Sequence, residues 1–325
     1  RLAAKFVLLI LISLAVFSAC SETDPVNPID NPTETYNKYL VAGSYGDLIT
    51  YEVDKGNKKF KYFNETTNTA DSGTFVLSSN PKLTGVYEIT SGNTFYYGIE
   101  LPGKLYATSA PSGNNLNSLC FGLSAEKDLS TPVAKEALLG KYLWIDYNDL
   151  SEFEWGGFEM LANGTFTWQI GPEDDTDFDV NQHFAGGGSG TWAISTTNPS
   201  RIIFNSDGIM TTGTINDGEL MLIDNGPTAG FTAGIKYPDQ PINMSEIGGN
   251  YKGLDVTPER YIGVGNFELP SSGSSCDYYF KYHNNPYIDE NIGTMNNFRR
   301  STKINNAFIG ESIFENELFT TAFIV

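Results

Sequence analysis

The chain has 325 residues, with 20 basic and 39 acidic side chains and a formal net charge of −19 at pH 7. Hydrophobic residues at 40 % exclude a disordered chain, and the negative charge argues against a nucleic-acid partner because it repels phosphate backbones. Aromatic residues at 13 % and 33 glycines favour strands joined by turns, and two histidines leave little room for a histidine-rich metal site.

The N-terminus has the pattern of an export signal. Arg1 and Lys5 precede the apolar run 6–17, which is shorter than the roughly 20 residues that span a membrane. The run leads through Phe-Ser-Ala to Cys20, which resembles a bacterial lipoprotein signal, and the acidic residues that follow resemble the surface-export signal of Bacteroidota lipoproteins.

This resemblance implies that residues 1–19 are a signal peptide and that Cys20 is lipidated and anchors the protein in the membrane. We therefore expect an outer-membrane protein exposed at the cell surface, with a periplasm-facing protein as the alternative. The Pro- and Asn-rich stretch 20–37 cannot bury apolar area and is predicted to be a disordered tether.

The body of the chain contains a weak internal repeat, which predicts β units at 38–124, 138–237 and 246–325. A strand-like segment and then a tetrapeptide of the type Ser-Gly-Thr-Phe recur in each unit. A Gly-x-Tyr sequence opens each unit, and a glycine with a leucine seven or eight positions later follows the tetrapeptide. The tetrapeptides are 72–75, 189–192 and 292–295; the opening glycines are Gly43, Gly140 and Gly249; the later glycines are Gly98, Gly213 and Gly310.

Within the units the apolar residues alternate with period two, as Phe166, Trp168 and Ile170 do, which is typical of a strand with one buried face. The only helix predicted is a short one around Val133–Leu139, between the first two units.

The second unit resembles the small lipocalin-like domains of Bacteroidota lipoproteins. The residues that carry the resemblance are Gly140-x-Tyr142, Asn-Gly-Thr-Phe at 163–166, Ser-Gly-Thr-Trp at 189–192 and Gly218-x-Leu220. The resemblance implies an up-and-down antiparallel sheet that closes into a barrel or half-barrel. We therefore expect an all-β protein with three tandem antiparallel up-and-down barrels or sandwiches.

Catalytic motifs are absent from the sequence, so we predict a protein that is not an enzyme. His183 and His283 lie in different units, and no H-E-x-x-H, G-x-S-x-G or P-loop sequence occurs. Cys120 and Cys276 lie in the first and third units, and we expect two separate thiols, with a disulfide between units as the alternative.

The acidic loop 173–179 is the strongest candidate for a metal site. Asp175, Asp177 and Asp179 alternate as the ligands of a calcium loop do, but Val180 stands where the EF-hand pattern needs glycine. Calcium is therefore the one cofactor considered, and a solvated acidic loop is the alternative. A hydrolase that uses a pair of these acids is a further reading.

All four tryptophans fall in the second unit, which makes it the candidate binding module. Trp168 and Trp192 belong to the core by periodicity, whereas Trp155 lacks an apolar neighbour at period two and is predicted to be exposed. Trp155 and Trp144 are the candidate ligand contacts. The sequence thus favours a surface lipoprotein that binds a glycan or a small apolar ligand, the alternative being an adhesin or an accessory subunit with an outer-membrane protein partner.

Overall fold

The computed structural model describes residues 7–8, 36–91, 94–111, 117–147, 153–171, 186–216, 219–226, 229–256, 262–282, 289–301, 307–314 and 317–324. Over these residues the protein is all-β, with two closed antiparallel barrels of eight strands and a separate open sheet. A two-residue strand, β1 (Val7–Leu8), pairs in parallel with the last strand of the open sheet. It lies within the predicted signal peptide.

The first barrel is an up-and-down meander whose first and last strands pair with each other. A 3₁₀ turn (Pro81–Leu83) lies between the fourth and fifth strands of this barrel. The strands are β2 (Asn37–Gly43), β3 (Leu48–Asp54), β4 (Lys59–Asn64), β5 (Thr69–Leu77), β6 (Tyr87–Ser91), β7 (Thr94–Leu101), β8 (Leu105–Pro111) and β9 (Asn117–Ser124).

The second barrel follows a short helix, α1 (Pro132–Ala137), which begins where Thr131 caps it by accepting a hydrogen bond from the Ala134 amide at 3.3 Å. This helix overlaps the predicted one. The barrel closes through pairing of its first and last strands. The strands are β10 (Gly140–Tyr147), β11 (Phe153–Met160), β12 (Thr165–Ile170), β13 (Gly186–Ile194), β14 (Ile202–Ser206), β15 (Ile209–Asn216), β16 (Leu220–Gly226) and β17 (Gly230–Lys236).

The third unit does not close within the part of the chain that the structure describes, so the expectation of a third barrel or sandwich is wrong there. It begins with a four-residue helix, α2 (Met244–Ile247), which the sequence did not predict and which Asn243 and Glu246 cap reciprocally. Six strands then form an open antiparallel meander. They are β18 (Gly249–Val256), β19 (Ile262–Leu269), β20 (Cys276–Tyr282), β21 (Glu290–Arg300), β22 (Ala307–Phe314) and β23 (Glu317–Ile324).

The repeated tetrapeptide has the same structural role in all three units. Its glycine always lies in the fourth strand of the unit, directly opposite an aromatic residue of the third strand. A Cβ atom on any of these glycines would lie within 2.8 Å of the aromatic side chain, so glycine is what lets the ring lie against the sheet. The pairs are Phe60 with Gly73, Phe166 with Gly190 and Tyr278 with Gly293.

The opening Gly-x-Tyr has a common role in the second and third units only. Gly140 begins β10 at a φ of 119°, and the Tyr142 hydroxyl donates a hydrogen bond to the carbonyl of Leu138 at 2.9 Å. Tyr251 of β18 donates in the same way to the carbonyl of Ile247. Gly43 instead ends β2, so the predicted equivalence of Gly43 was wrong, and the tyrosine at the matching strand position is Tyr39.

The later glycines show where the third unit departs from the other two. Gly98 and Gly213 both lie in the sixth strand of their barrels, whereas Gly310 lies in the fifth strand of the open sheet. The pairing of β21 with β22 is also irregular between Asn296 and Arg299. The repeat therefore holds through the fourth strand and then fails.

An apolar cluster on the outer faces of the strands joins the three units. The Phe121 and Phe231 rings of the two barrels are stacked, with centroids 6.2 Å apart and an interplanar angle of 10°. The first barrel occupies the centre, because its outer face contacts both of the other units. The cluster comprises Ala42, Leu83, Val86, Tyr97, Ile99, Leu105, Ala107, Phe121 and Leu123 of the first barrel, Tyr147, Leu222, Phe231 and Ala233 of the second, and Val264 and Tyr279 of the open sheet.

Polar contacts fix the units around this cluster. Arg201 of the second barrel forms a two-pronged ion pair with Glu65 of the first, with Nη1 donating to Oε2 at 2.8 Å and Nη2 donating to Oε1. These hydrogen bonds from Arg201 hold the pKa of Glu65 below its ordinary value. On the other side, Asn80 donates to the Tyr279 hydroxyl at 3.0 Å.

Candidate functional site

The interior of the second barrel is filled by its own aromatic rings. Phe158 stacks on Phe166 with centroids 5.0 Å apart, and the Phe204 ring meets both edge-on. The Trp144 ring lies over Gly156, where a Cβ atom would be 2.6 Å from it. These rings occupy the space in which an open barrel would hold an apolar ligand.

The segment before the barrel closes one end of it. Leu129 and Leu138 are buried in the core of the barrel. Beside them the Trp192 indole N–H donates to the carbonyls of Leu161 and Thr165, both at 3.1 Å. A ligand could therefore reach the interior of the second barrel only from its opposite end.

That opposite end carries a polar cluster around a buried carboxyl group. Asp146 points inward near the end of β10, and the Thr232 hydroxyl donates a hydrogen bond to its Oδ1 atom. The Asn225 amide donates in turn to Thr232 Oγ1 at 2.9 Å, and Glu154 lies directly across from Asp146 on β11. Burial raises the pKa of Asp146 to about 7, with the Glu154 charge adding to the rise and the Thr232 hydrogen bond opposing it.

The sequence did not single out Asp146, although a signal was present. Tyr142, Trp144 and Asp146 alternate along β10, so the period that places the two rings inside also places the carboxyl group inside. An acid at an inward position of an otherwise apolar strand is costly unless it is hydrogen-bonded or protonated. Chemically, a carboxyl group that titrates near neutrality beside an amide and a hydroxyl can bind a hydroxyl-rich ligand or exchange a proton.

The structure does not place Trp155 as predicted. Its side chain is 8 % exposed, because the ring lies against Gly171, where a Cβ atom would be only 2.2 Å away, and the Gly171 amide donates to the Trp155 carbonyl at 2.7 Å. Trp144 is also buried, and its indole N–H donates to the Gly157 carbonyl at 2.9 Å. Because Trp144 lies opposite Gly156 and Trp155 is the adjacent residue, the two rings are on opposite faces of the sheet.

The other predicted site residues lie outside the described residues. They are the lipidation site Cys20 and the acidic loop residues Asp175, Asp177 and Asp179; His183 and His283, which were not predicted to form a site, also lie outside those residues. The strand ends that flank the acidic loop are Ile170 and Gly186, which are at the same end of the barrel as Asp146.

The described ranges contain neither a clustered metal site nor a membrane-spanning helix. There, no group of three or more His, Cys, Asp or Glu side chains is placed to hold a metal ion, and no helix has the length and apolarity to cross a membrane. Cys120 and Cys276 are two separate buried thiols, as the sequence predicted, and burial raises the pKa of each to about 12.

The fold defines the class of this protein, an all-β chain built on two closed eight-stranded up-and-down barrels. No protein-family model matches the chain, and neither the curated proteins nor the solved structures gave a match.

The raised pKa of Asp146 predicts that the second barrel is more stable in mild acid. The folded barrel keeps this proton up to about pH 7, whereas the unfolded chain loses it near the ordinary value of 3.8, so stability falls as the pH rises between the two. The loss attributable to Asp146 is about 4 kcal/mol over that whole interval, of which about 2.5 kcal/mol falls between pH 5 and pH 8. Urea titrations at pH 5 and pH 8, followed by tryptophan fluorescence, should show this fall in the native protein and a flatter profile in Asp146→Asn. Equal pH dependence in both proteins would refute the assignment.

Proposed function

We propose that this protein is a non-enzymatic, lipid-anchored structural or accessory protein of the outer membrane, and that it binds a protein partner through the outer surface of its barrels. The observation that carries the proposal is that the barrel interiors are filled by the protein's own side chains while the outer faces join the units into one body. When side chains fill the interior of a barrel, a partner can bind only to its outer surface.

The first barrel supports the same reading, because a hydrogen-bond network occupies one end of its interior. The Tyr39 hydroxyl donates to Glu100 Oε1 at 2.6 Å, and the Tyr87 hydroxyl donates to Glu100 Oε2. The Asn37 amide donates to Glu100 Oε1 at 3.0 Å. This carboxylate is satisfied by the barrel's own side chains.

The exterior offers a specific contact at the turn between β14 and β15. Asp207 and Gly208 form a tight turn with positive φ angles of 53° and 84°, and Ile209 and Met210 follow it. These residues are 66 % and 69 % exposed on the β14–β15 hairpin, at the end of the barrel that carries Asp146. Ile209 and Met210 follow one another in β15 and point to opposite faces of the sheet, so Met210 is the exposed apolar side chain on the outer face that can contact a protein partner.

Site-specific photo-crosslinking in the native cells tests this proposal. A photoreactive residue in place of Met210 should give one discrete crosslinked product. The same residue in place of Val133, which is apolar and exposed on α1, should not give that product. No crosslink at position 210, or the same products at both positions, would contradict the proposal.

A second measurement separates the proposal from binding in the lumen. The protein should give no saturable signal with a fluorescent fatty-acid analogue, because aromatic rings fill both barrels. Binding with one-to-one stoichiometry would favour the apolar-ligand reading instead.

Lipid anchoring is tested through Cys20. Replacing Cys20 with alanine removes the only thiol that the signal pattern presents for acylation, so the protein should leave the membrane fraction. Fractionation of cells that express the native and Cys20→Ala proteins measures this, with Cys276→Ala as the matched control. Persistent membrane attachment of Cys20→Ala would refute the anchor.

Glycan recognition at the polar end of the second barrel is the second candidate, and the Asp146, Thr232 and Asn225 cluster favours it. Hydroxyl groups of a sugar pair well with carboxylate and amide side chains. A glycan array should then give a signal that Asp146→Asn removes. Conversion of a bound glycan to products would favour the hydrolase reading, with Asp146 and Glu154 as the pair of acids.

A further inference from the structure

The interior of the first barrel differs from that of the second in being lined by tyrosines, namely Tyr39, Tyr51, Tyr87, Tyr96 and Tyr106. Two of them, Tyr39 and Tyr87, donate their hydroxyl protons to Glu100. Across the described part of the chain, the hydroxyls of Tyr51 and Tyr106 lie near each other but neither completes a hydrogen bond, although both residues are buried.

Two unpaired hydroxyls in one core are energetically expensive. A buried polar group without a partner costs about 1–3 kcal/mol, and such groups in native proteins are nearly always paired with the protein or with ordered water. The Tyr51 and Tyr106 rings stack with centroids 4.5 Å apart. Burial raises the pKa of both phenols well above the ordinary value, and the neighbouring Tyr106 and Tyr96 phenols raise that of Tyr51 further.

Neighbouring polar side chains already have partners. The Thr108 hydroxyl donates to the Tyr97 carbonyl at 2.7 Å, and the hydroxyls of Ser44 and Ser118 are 3.2 Å apart. Beside the Tyr106 hydroxyl lies Gly98, where a Cβ atom would be 3.0 Å from the phenol oxygen. Gly98 therefore brings no side chain that could pair with this hydroxyl.

We propose that the core of the first barrel binds an internal water molecule that bridges the hydroxyls of Tyr51 and Tyr106. Water both donates and accepts, and the phenol of Tyr96 lies close enough to Tyr51 to serve as a third neighbour. An anion is a poor fit, because none of the buried polar or charged side chains described for this barrel is cationic. Close stacking of the rings excludes a larger molecule.

Oxygen-17 magnetic relaxation dispersion of the protein in enriched water counts long-lived internal waters and tests the proposal. The native protein should show at least one more such water than the double variant Tyr51→Phe/Tyr106→Phe. Tyr237→Phe, which changes a half-buried tyrosine outside both barrels, should retain the native count. Protection of the Cys120 thiol from alkylation verifies that the first barrel of each variant is folded.

An equal water count in the native protein and the double variant would overturn the proposal. If the double variant fails to fold, a crystal structure of the native protein, at a resolution that shows ordered water, decides the question. Density for a water within hydrogen-bond distance of both hydroxyls supports the site. A direct hydrogen bond between Tyr51 and Tyr106 overturns it.

Discussion

Replacing Gly190 with alanine is expected to lower the free energy of unfolding of the second barrel by about 3 kcal/mol. The added Cβ atom would lie 2.2 Å from the backbone carbonyl oxygen of Asn205 and 2.7 Å from the Phe166 ring. The ring could rotate away, but the carbonyl belongs to the paired strand β14 and cannot move without breaking the sheet. All four tryptophans lie in this barrel, so urea titration followed by tryptophan fluorescence measures the effect.

Gly56→Ala is the matched control for this substitution. The nearest atom to a Cβ at position 56 is the Asp54 Oδ1 at 3.4 Å, which is an ordinary contact. Because Gly56 lies in the first barrel, alkylation of Cys120 is read beside the fluorescence, and by both signals this variant should unfold within about 0.5 kcal/mol of the native protein. If Gly190→Ala were equally harmless, the close approach of the Asn205 carbonyl and the Phe166 ring would not be what requires glycine at this position.

Replacing Phe231 with alanine is expected to cost about 4 kcal/mol and to separate the unfolding of the two barrels. Phe231 is 1 % exposed, stacks on Phe121 of the first barrel and packs edge-on against Tyr147 of its own barrel. Truncation leaves a cavity in the interface and not inside either barrel. Tryptophan fluorescence should therefore change at a lower urea concentration than alkylation of Cys120, which reports on the first barrel.

Phe63→Ala is the control, because Phe63 is 42 % exposed on the first barrel and the same truncation leaves no cavity there. It should shift stability by no more than about 0.5 kcal/mol and leave the two signals coincident. Coincident signals in Phe231→Ala would instead show that this interface does not couple the barrels.

The strands and the all-β class could be predicted from the sequence, because the alternation of apolar residues that defines a strand is a local pattern. Alternation along 165–170 places Phe166 inward, and the tetrapeptide that ends at Trp192 marks the strand beside it. The all-β class follows from such patterns. Closure does not, because it depends on pairing between strands far apart in the chain, and the third unit carries the same strand markers as the barrels only through its fourth strand.

The candidate site was harder to predict, for a related reason. The packing of Trp155 depends on Gly171, a residue without a side chain that no hydrophobic pattern reveals as a partner. Asp146 was readable from its inward position, but its partners Thr232 and Asn225 come from the other end of the barrel sequence. Only the pairing of β17 with β10 brings these partners next to Asp146, and this pairing cannot be predicted from the local sequence.

The most direct test of the central claim, that filled barrels are joined through their outer faces into one body, uses three natural reporters. The tryptophans report on the second barrel, Cys120 on the first and Cys276 on the open sheet. The measurement is one urea titration of the chain from Ser21 onward, with fluorescence and pulsed alkylation of each cysteine read at every point. We predict that all three signals change at the same urea concentration. Three separate transitions would show independent units and contradict the account.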